Sequence, residues 1–280
     1  MKQPNADQAD YWSSTAGQKW VTYQADLDRL LAGVLDAVLD AAQVQPGEHV
    51  LDIGCGTGAS TAELARLVGP AGHVAALDIS APLLDLARRR AAAPNVSFTR
   101  ADAQTHAFDA RADLVFSRFG VMFFEDPVAA FTNLRTGLRP GGRLAMICWQ
   151  DMPANPWFQV PFDAAVSRLG RPSALPPNAP GPTAFKDIDR VTGLLSDAGW
   201  NDPHGDRIEV DLIPPQDLTE AAAFAATLGP ASRTLAEKDG TEEDARAITE
   251  AIAGALRAYE TDAGLRVPSR LIIYTARNTA

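Results

Sequence analysis

The sequence predicts an α/β protein built on one doubly wound, mostly parallel sheet of seven strands, with helical insertions capping one edge. Three observations predict it. Apolar runs beginning near Val50, Val74, Val96, Asp113 and Arg143 are separated by segments long enough for crossover helices. Arg207 to Ile213 and Ser269 to Ala276 add two later strands. The run from Val50 to Ile53 also passes directly into Gly54-Cys55-Gly56-Thr57-Gly58, after which Ser60 to Leu67 has helical spacing.

Before that turn, residues 9 to 42 read as helical with a break near Gly17, and the apolar stripe from Leu27 to Leu39 gives this stretch a face to lay on a core. Tyr11, Trp12, Trp20 and Tyr23 are dense for a chain that is only 7% aromatic. They fit a lid closing over a ligand, and they fit a helix pinned by large side chains. Pro46-Gly47 ends the segment as a turn.

The glycine turn reads as a nucleotide-type site, because a Cβ at Gly54, Gly56 or Gly58 would obstruct a ligand lying against the backbone. Gly54-x-Gly56-x-x-Ala59 satisfies the dinucleotide fingerprint as well. Asp52 favours another ligand: a carboxylate at the strand end repels a pyrophosphate and suits positive charge, such as the sulfonium and ammonium of S-adenosylmethionine. Asp78 closes the next strand, and its two oxygens suit ribose hydroxyls. Ser80 then caps a helix from Pro82 to Ala91.

Val50 to Gly58, with Asp78, Asp102, Ala112 to Phe124 and Leu138 to Leu144, resembles the class I S-adenosylmethionine-dependent methyltransferases. Within them it is most similar to the bacterial small-molecule branch related to the ubiquinone/menaquinone methyltransferases. The likeness covers about residues 45 to 150. It implies a Rossmann-like sheet and S-adenosylmethionine as cofactor, bound by Asp52, Gly54, Gly56 and Gly58, with Asp78 on its ribose. Ile79 and Leu83 would pack on the adenine, whose amino group would meet Asp102 and the Ala103 backbone. Ser117 would lie where the methyl group points, and Trp20 would face the sulfonium end through its ring quadrupole. Phe119, Phe123 and Trp149 are the candidate acceptor walls. Ser117-Arg118-Phe119 departs from the Asn/Asp-Pro-Pro-aromatic element of enzymes that methylate nucleic-acid amino groups, which argues against a base as acceptor.

The implied activity is methyl transfer to O, N or C of a small metabolite. The competing readings are a nicotinamide-dependent dehydrogenase and a non-catalytic S-adenosylmethionine-binding protein. No catalytic residue is assigned. His106, beyond Asp102, is a candidate base or a solvated loop residue, and Arg118 would hold an acceptor anion or pair with Glu125 or Asp126. His49, His73 and His204 are scattered without ligand spacing, so no metal is expected.

Composition narrows the partners. The 280 residues, 46% hydrophobic, are enough to bury a full core. Lys and Arg total 25 against 35 Asp and Glu, a net charge of -10 that disfavours nucleic acid or anionic membranes as partners. The basic run Arg88-Arg89-Arg90 reads as a solvated helix end. Cys55 and Cys148 do not suggest a disulfide framework, and no leader or long apolar run stands out, so a cytoplasmic monomer or homodimer is expected.

Three regions follow: residues 1–45 as a helical lid, 46–150 as the cofactor-binding core, and 151–280 as the rest of the sheet with caps near 151–185 and 215–265. Prolines crowd the stretch from Pro153 to Pro182, leaving room for one helix near Phe158 to Leu169. Further helices are expected at Lys186 to Ala198, 217 to 228 and 241 to 262.

Overall fold

A computed structural model describes residues 3–108 and 112–279. Helices α1 (Ala6–Ser13), α2 (Thr15–Thr22), α3 (Gln24–Leu30) and α4 (Ala32–Ala42) precede the sheet. The first half continues with β1 (His49–Ile53), α5 (Ala59–Val68), β2 (His73–Asp78), α6 (Ala81–Arg90), β3 (Val96–Arg100), β4 (Ala112–Arg118), α7 (Pro127–Thr136) and β5 (Leu138–Trp149). The second half holds α8 (Pro156–Leu169), α9 (Ile188–Asp197), β6 (Asn201–Leu212), α10 (Leu218–Thr227), α11 (Pro230–Glu237), α12 (Glu242–Leu256), β7 (Glu260–Thr261), β8 (Gly264–Leu265) and β9 (Val267–Arg277).

Seven strands form one sheet in the order β3-β2-β1-β4-β5-β9-β6, and only β9 runs against its neighbours. The predicted doubly wound, mostly parallel sheet is therefore present. β7 and β8 make a separate two-stranded ribbon. Central strand β4 is buried from Ala112 to Ser117 and β1 from Val50 to Ile53. Such continuous burial is what helices on both faces of a parallel sheet produce.

The amino-terminal helix divides further than its periodicity suggests. Breaks fall at Ser14, Tyr23 and Leu31, and Gly17 lies buried inside α2 rather than at a break. α4 packs across β4, β5, β6 and β9. Between β3 and β4, residues 101–108 make only turns and coil. Val34, Val38 and Ala42 on α4 are fully buried. Each such valine contributes roughly 1.5–3 kcal/mol of apolar burial.

Three boundaries differ from expectation for local reasons. β6 begins at Asn201, ahead of Arg207, and carries Pro203 through a register shift between Asn201 and His204. An edge strand tolerates a proline that a central one would not. A separate helix, α11, occupies residues read as a connection, because Pro230 sits in its first turn, where a missing N–H costs nothing. α12 starts with a Thr241/Asp244 capping box and stops at Leu256, short of residue 262. No helix among the described residues is long and apolar enough to cross a membrane.

Candidate active site

A cavity of about 270 Å³ opens where the carboxyl ends of β1, β2, β3 and β4 meet, lined by Gly54, Gly56, Asp78, Asp102, Arg118 and Phe119 among others. Ligands of doubly wound sheets bind at this end. Its roof comes from α1 and α2, through Asn5, Gln8, Tyr11, Trp12 and Trp20.

The floor is set by the glycine turn. Gly54 has φ +67, and a Cβ there would stand 2.5 Å from the Gly120 Cα, so β1 and the chain leaving β4 touch backbone to backbone. Gly56, at φ +55, differs: a Cβ there would meet no protein atom within 4 Å. Open space over an amide turn is what a ligand needs to lie against the chain. The Gly56 amide donates to Asp78 Oδ2 at 2.8 Å, and the Ser80 amide donates to Oδ1 at 2.8 Å. Asp78 thus ties the glycine turn to the start of α6 while each oxygen keeps a further lone pair. Burial raises the pKa of this carboxyl, against those backbone hydrogen bonds, which lower it.

Asp102 is held from two sides. Its Oδ1 accepts from the Gln104 amide at 2.9 Å and from Asn5 Nδ2 at 2.9 Å. Its Oδ2 is buried with no hydrogen-bond partner among the described residues. An unmatched carboxylate oxygen on a cavity wall is costly to the protein alone and suited to a ligand donor. Ile79, Leu83 and Ala103 line the same end of the cavity.

At the other end stands an aromatic wall. Phe119 adopts φ +67, unusual for a bulky residue, and lays its ring flat on Trp149 at 4.5 Å and 8°. Trp149 meets Phe158 edge-on at 4.8 Å, and Phe123 meets Trp12 edge-on at 5.2 Å. Phe119, Phe123, Trp149 and Trp20 all line the cavity.

Three residues expected at the cofactor do not line it. A Cβ at Gly58 would press on the Ala87 Cβ at 3.1 Å, so this glycine lets α5 approach α6. Ser117 donates its hydroxyl to the Ile53 carbonyl at 2.7 Å and accepts from the Gly120 amide at 3.1 Å, pinning β4 to β1. Asp52 is fully buried, and its Oδ2 accepts from Ser60 at 2.9 Å and Thr61 at 2.6 Å. It joins β1 to α5 and acts on the cavity only through its field.

Asp52 carries a pH signature. Burial pushes its carboxyl up to about 6, against the Thr61 and Ser60 hydrogen bonds and the Arg118 charge, which pull it down. The unfolded chain releases this proton near pH ~3.9. Between those values the folded state holds the extra proton, so stability falls as pH rises from about 4 through 6, by roughly 3 kcal/mol. Asp52→Asn should remove that decline, which urea unfolding of both proteins from pH 4 to 8 would measure. Parallel curves would contradict it.

The arginine run was read as solvated, which holds for Arg88, whose exposed partner is Asp85. Arg90 is exposed as well, and it also donates to the Thr57 carbonyl at 2.8 Å and pairs with Asp28 of α3, clamping the glycine turn to the amino-terminal segment. Sequence reasoning also missed Asn5. As the residue before α1 it would ordinarily cap that helix, yet its side chain is spent on Asp102 and on the Glu125 amide, 2.7 Å away. His106 lies off the cavity, its ring edge-on to Phe108. Arg118 pairs with neither Glu125 nor Asp126 and lines the cavity.

Residues 50–142 match the family model described as a methyltransferase domain. The ubiquinone/menaquinone biosynthesis C-methyltransferase UbiE of Hahella chejuensis is 35% identical over 130 residues, 45% of this chain and 52% of the relative. The aklanonic acid methyltransferase DauC of Streptomyces sp. is 36% identical over 140 residues, 49% of this chain and 60% of the relative. The chain thus spans about half the length of these curated relatives. Haemonchus contortus phosphoethanolamine N-methyltransferase 2, solved with S-adenosyl-L-methionine, superposes with a TM-score of 0.61 at 15% identity, over 97% of this chain and 60% of the other. That likeness concerns the fold. Residues 50–142 are thus similar to a methyltransferase domain, and over a little under half of its length the chain is similar to the methyltransferases UbiE and DauC.

Proposed function

We propose that this chain transfers a methyl group from S-adenosylmethionine to a small, largely apolar acceptor. The observation that carries the proposal is the buried, unpartnered Oδ2 of Asp102, a residue that lines the same cavity as Asp78 and the open amide turn at Gly56. These residues fit the cofactor. Asp78 would accept from its ribose hydroxyls, Asp102 Oδ2 would accept from its adenine amino group, and Ile79 with Leu83 would flank the base. The cofactor, when bound, supplies an electrophilic methyl group on a sulfonium.

The protein's task in such a displacement is to align acceptor and methyl group. Phe119, Trp149 and Phe123 would wall the acceptor, and Trp12 and Trp20 would close the roof and exclude water. The roof is tied down at several points: Ser80 donates to the Trp12 carbonyl at 2.7 Å, and Lys19 donates to the Thr227 carbonyl at 3.0 Å. Relatives named for quinone and aklanonic acid methylation support a small organic acceptor.

The test is calorimetric titration with S-adenosylhomocysteine and, separately, with NAD, followed by a panel of apolar acceptors with S-adenosylmethionine, read as S-adenosylhomocysteine release. Binding of S-adenosylhomocysteine and turnover with at least one acceptor are expected. Binding of NAD alone would sink the proposal. Tight cofactor binding with no turnover across the panel would favour the sensing role over transfer.

A further inference from the structure

The cavity is divided along the sheet. Its carboxylates belong to one side: Asp78 is the last residue of β2, and Asp102 follows β3. The aromatic wall belongs to the other, since Phe119 follows β4 and Trp149 ends β5. In the order β3-β2-β1-β4-β5, two strand intervals separate β2 from β4, and four separate β3 from β5. At about 4.8 Å per interval these are gaps of roughly 10 and 19 Å, whereas a general base must come within about 3 Å of the proton it takes. The other titratable residues lining the cavity, among those described, are Tyr11 and Arg118. Desolvation holds the Tyr11 phenol above its ordinary pKa, more than the Arg233 charge lowers it, so it stays protonated near neutral pH. An arginine keeps its proton even where burial lowers its pKa, as it does at Arg118. Both residues are donors.

The wall itself offers donors without acceptors. Trp149 and Trp157 are buried and line the cavity, and no described residue accepts a hydrogen bond from either indole N–H. Trp200 shows the ordinary state of a buried indole, donating to the Phe131 carbonyl at 3.1 Å. An indole side chain has one donor and nothing to accept with, and the neighbouring Phe119, Phe123, Phe158 and Leu228 have neither. A hydroxyl or ammonium brought to this wall would find no side chain to receive its proton, and an ammonium would also meet the like charge of a sulfonium. An oxyanion would meet two unmatched N–H groups and an opposite charge. We propose that the methyl acceptor is an acid bound in its ionised form, a carboxylate or the anion of an acidic phenol or enol, received by the indole N–H groups of Trp149 and Trp157. The proposal rests on the S-adenosylmethionine reading given above. A lone pair on the acceptor oxygen forms the new C–O bond as the methyl–sulfur bond breaks, and the electrons of that bond pass to sulfur. The two charges cancel, a neutral ester or ether is left beside S-adenosylhomocysteine, and no proton moves. A chamber of low dielectric strengthens the attraction between the two charges beforehand.

The experiment is turnover of compounds of one shape and graded acidity with S-adenosylmethionine, read as S-adenosylhomocysteine release. Naphthoate and a series of naphthols made more acidic by ring substituents are compared with naphthylmethanol and naphthylmethylamine. For each naphthol, kcat/KM is expected to rise with pH through that compound's own ionisation and then level, so the inflection moves from one naphthol to the next. The alcohol and the amine should be slower than naphthoate by at least about a hundredfold, the contribution that a general base would have made. One inflection at a fixed pH for every naphthol would reveal a base on the protein and overturn the proposal. Comparable turnover of the alcohol or amine, or no turnover of any ionised compound, would overturn it as well. Trp149→Phe and Trp157→Phe keep an aromatic ring and lose the donor. Each should raise KM for naphthoate roughly ten- to a hundredfold, the scale of a lost hydrogen bond to a charged group, while inhibition by naphthalene, which has no oxygen, stays within about twofold of wild type. Equal loss for naphthoate and naphthalene would make the indoles packing residues and count against the proposal. Failure of wild type to bind S-adenosylhomocysteine would instead refute the cofactor reading itself, a distinct result.

Discussion

Gly54→Ala is expected to cost roughly 2–5 kcal/mol of stability, combining a left-handed backbone penalty of roughly 1–2 kcal/mol with overpacking of roughly 1–3 kcal/mol. The overpacking is specific. The new methyl would stand 2.5 Å from the Gly120 Cα, a main-chain atom that cannot swing aside as a flexible side chain would. Gly120 is itself held against β1: its amide donates to Ser117 Oγ at 3.1 Å, and a Cβ added to it would stand 2.5 Å from the Ile53 carbonyl oxygen. A loss of that size is a large part of a typical margin of about 5–15 kcal/mol. Gly56→Ala is the matched control: it has the same sign of φ and no protein atom near the new methyl, so only the backbone penalty remains. Chemical denaturation of the two variants should separate them by at least about 1 kcal/mol, the lower bound of the overpacking estimate. Equal midpoints would mean that β1 and β4 can part at this point without cost.

Asp78→Ala is the second large effect, and it acts on two quantities together. Removing the carboxylate deletes two proposed ribose acceptors, so S-adenosylhomocysteine should bind more weakly by roughly 1.5–3 kcal/mol. It also leaves the Gly56 and Ser80 amides without their 2.8 Å acceptor, so the apo protein should lose roughly 1–3 kcal/mol of its own. The sequence alone gives no reason to expect the second loss, since it treats Asp78 as a ligand residue on an independent fold. Asp78→Asn refines the test. Its amide retains one acceptor oxygen and presents an N–H₂ to whichever backbone donor the other oxygen served, so it should recover only part of either quantity. Calorimetric titration paired with thermal unfolding reads both. Unaltered affinity in a folded Asp78→Ala protein would remove the ribose assignment.

The sheet was legible because its signals are local. Each parallel strand is a short apolar run, and the glycine turn marks where the first one ends. That Asp78 and Asp102 line the cavity was legible for the same reason, since they stand at or just past strand ends. The sequence did not separate Asp52, Gly58 and Ser117 from the residues lining the cavity. Motif position brings all of them near the cofactor end, whereas burial and partners are decided by α5, α6 and β1, which no single stretch encodes. Asn5 and Arg90 were invisible for a related reason. Their partners lie 97 and 62 residues away in the chain, and an asparagine before a helix or an arginine at the end of one already has an ordinary local explanation. The two extra features of the second half, α11 and the early start of β6, were hidden by Pro230 and Pro203, residues that usually mark interruptions.

The placement of α4 bears on how the chain comes to be folded at all. This helix ends at Ala42, yet it rests on β6 and β9, the latter running to Arg277. A ribosome releasing the chain in order would set free an apolar helix whose docking surface is completed only by strands made more than 150 residues later. Contacts of such long sequence separation slow folding, and the waiting surface is open to association with other chains meanwhile. Synthesis should therefore pass through a stage in which the glycine turn and its first strands have formed and α4 still lacks its seat. At that stage the nascent chain is a natural client for a holding chaperone.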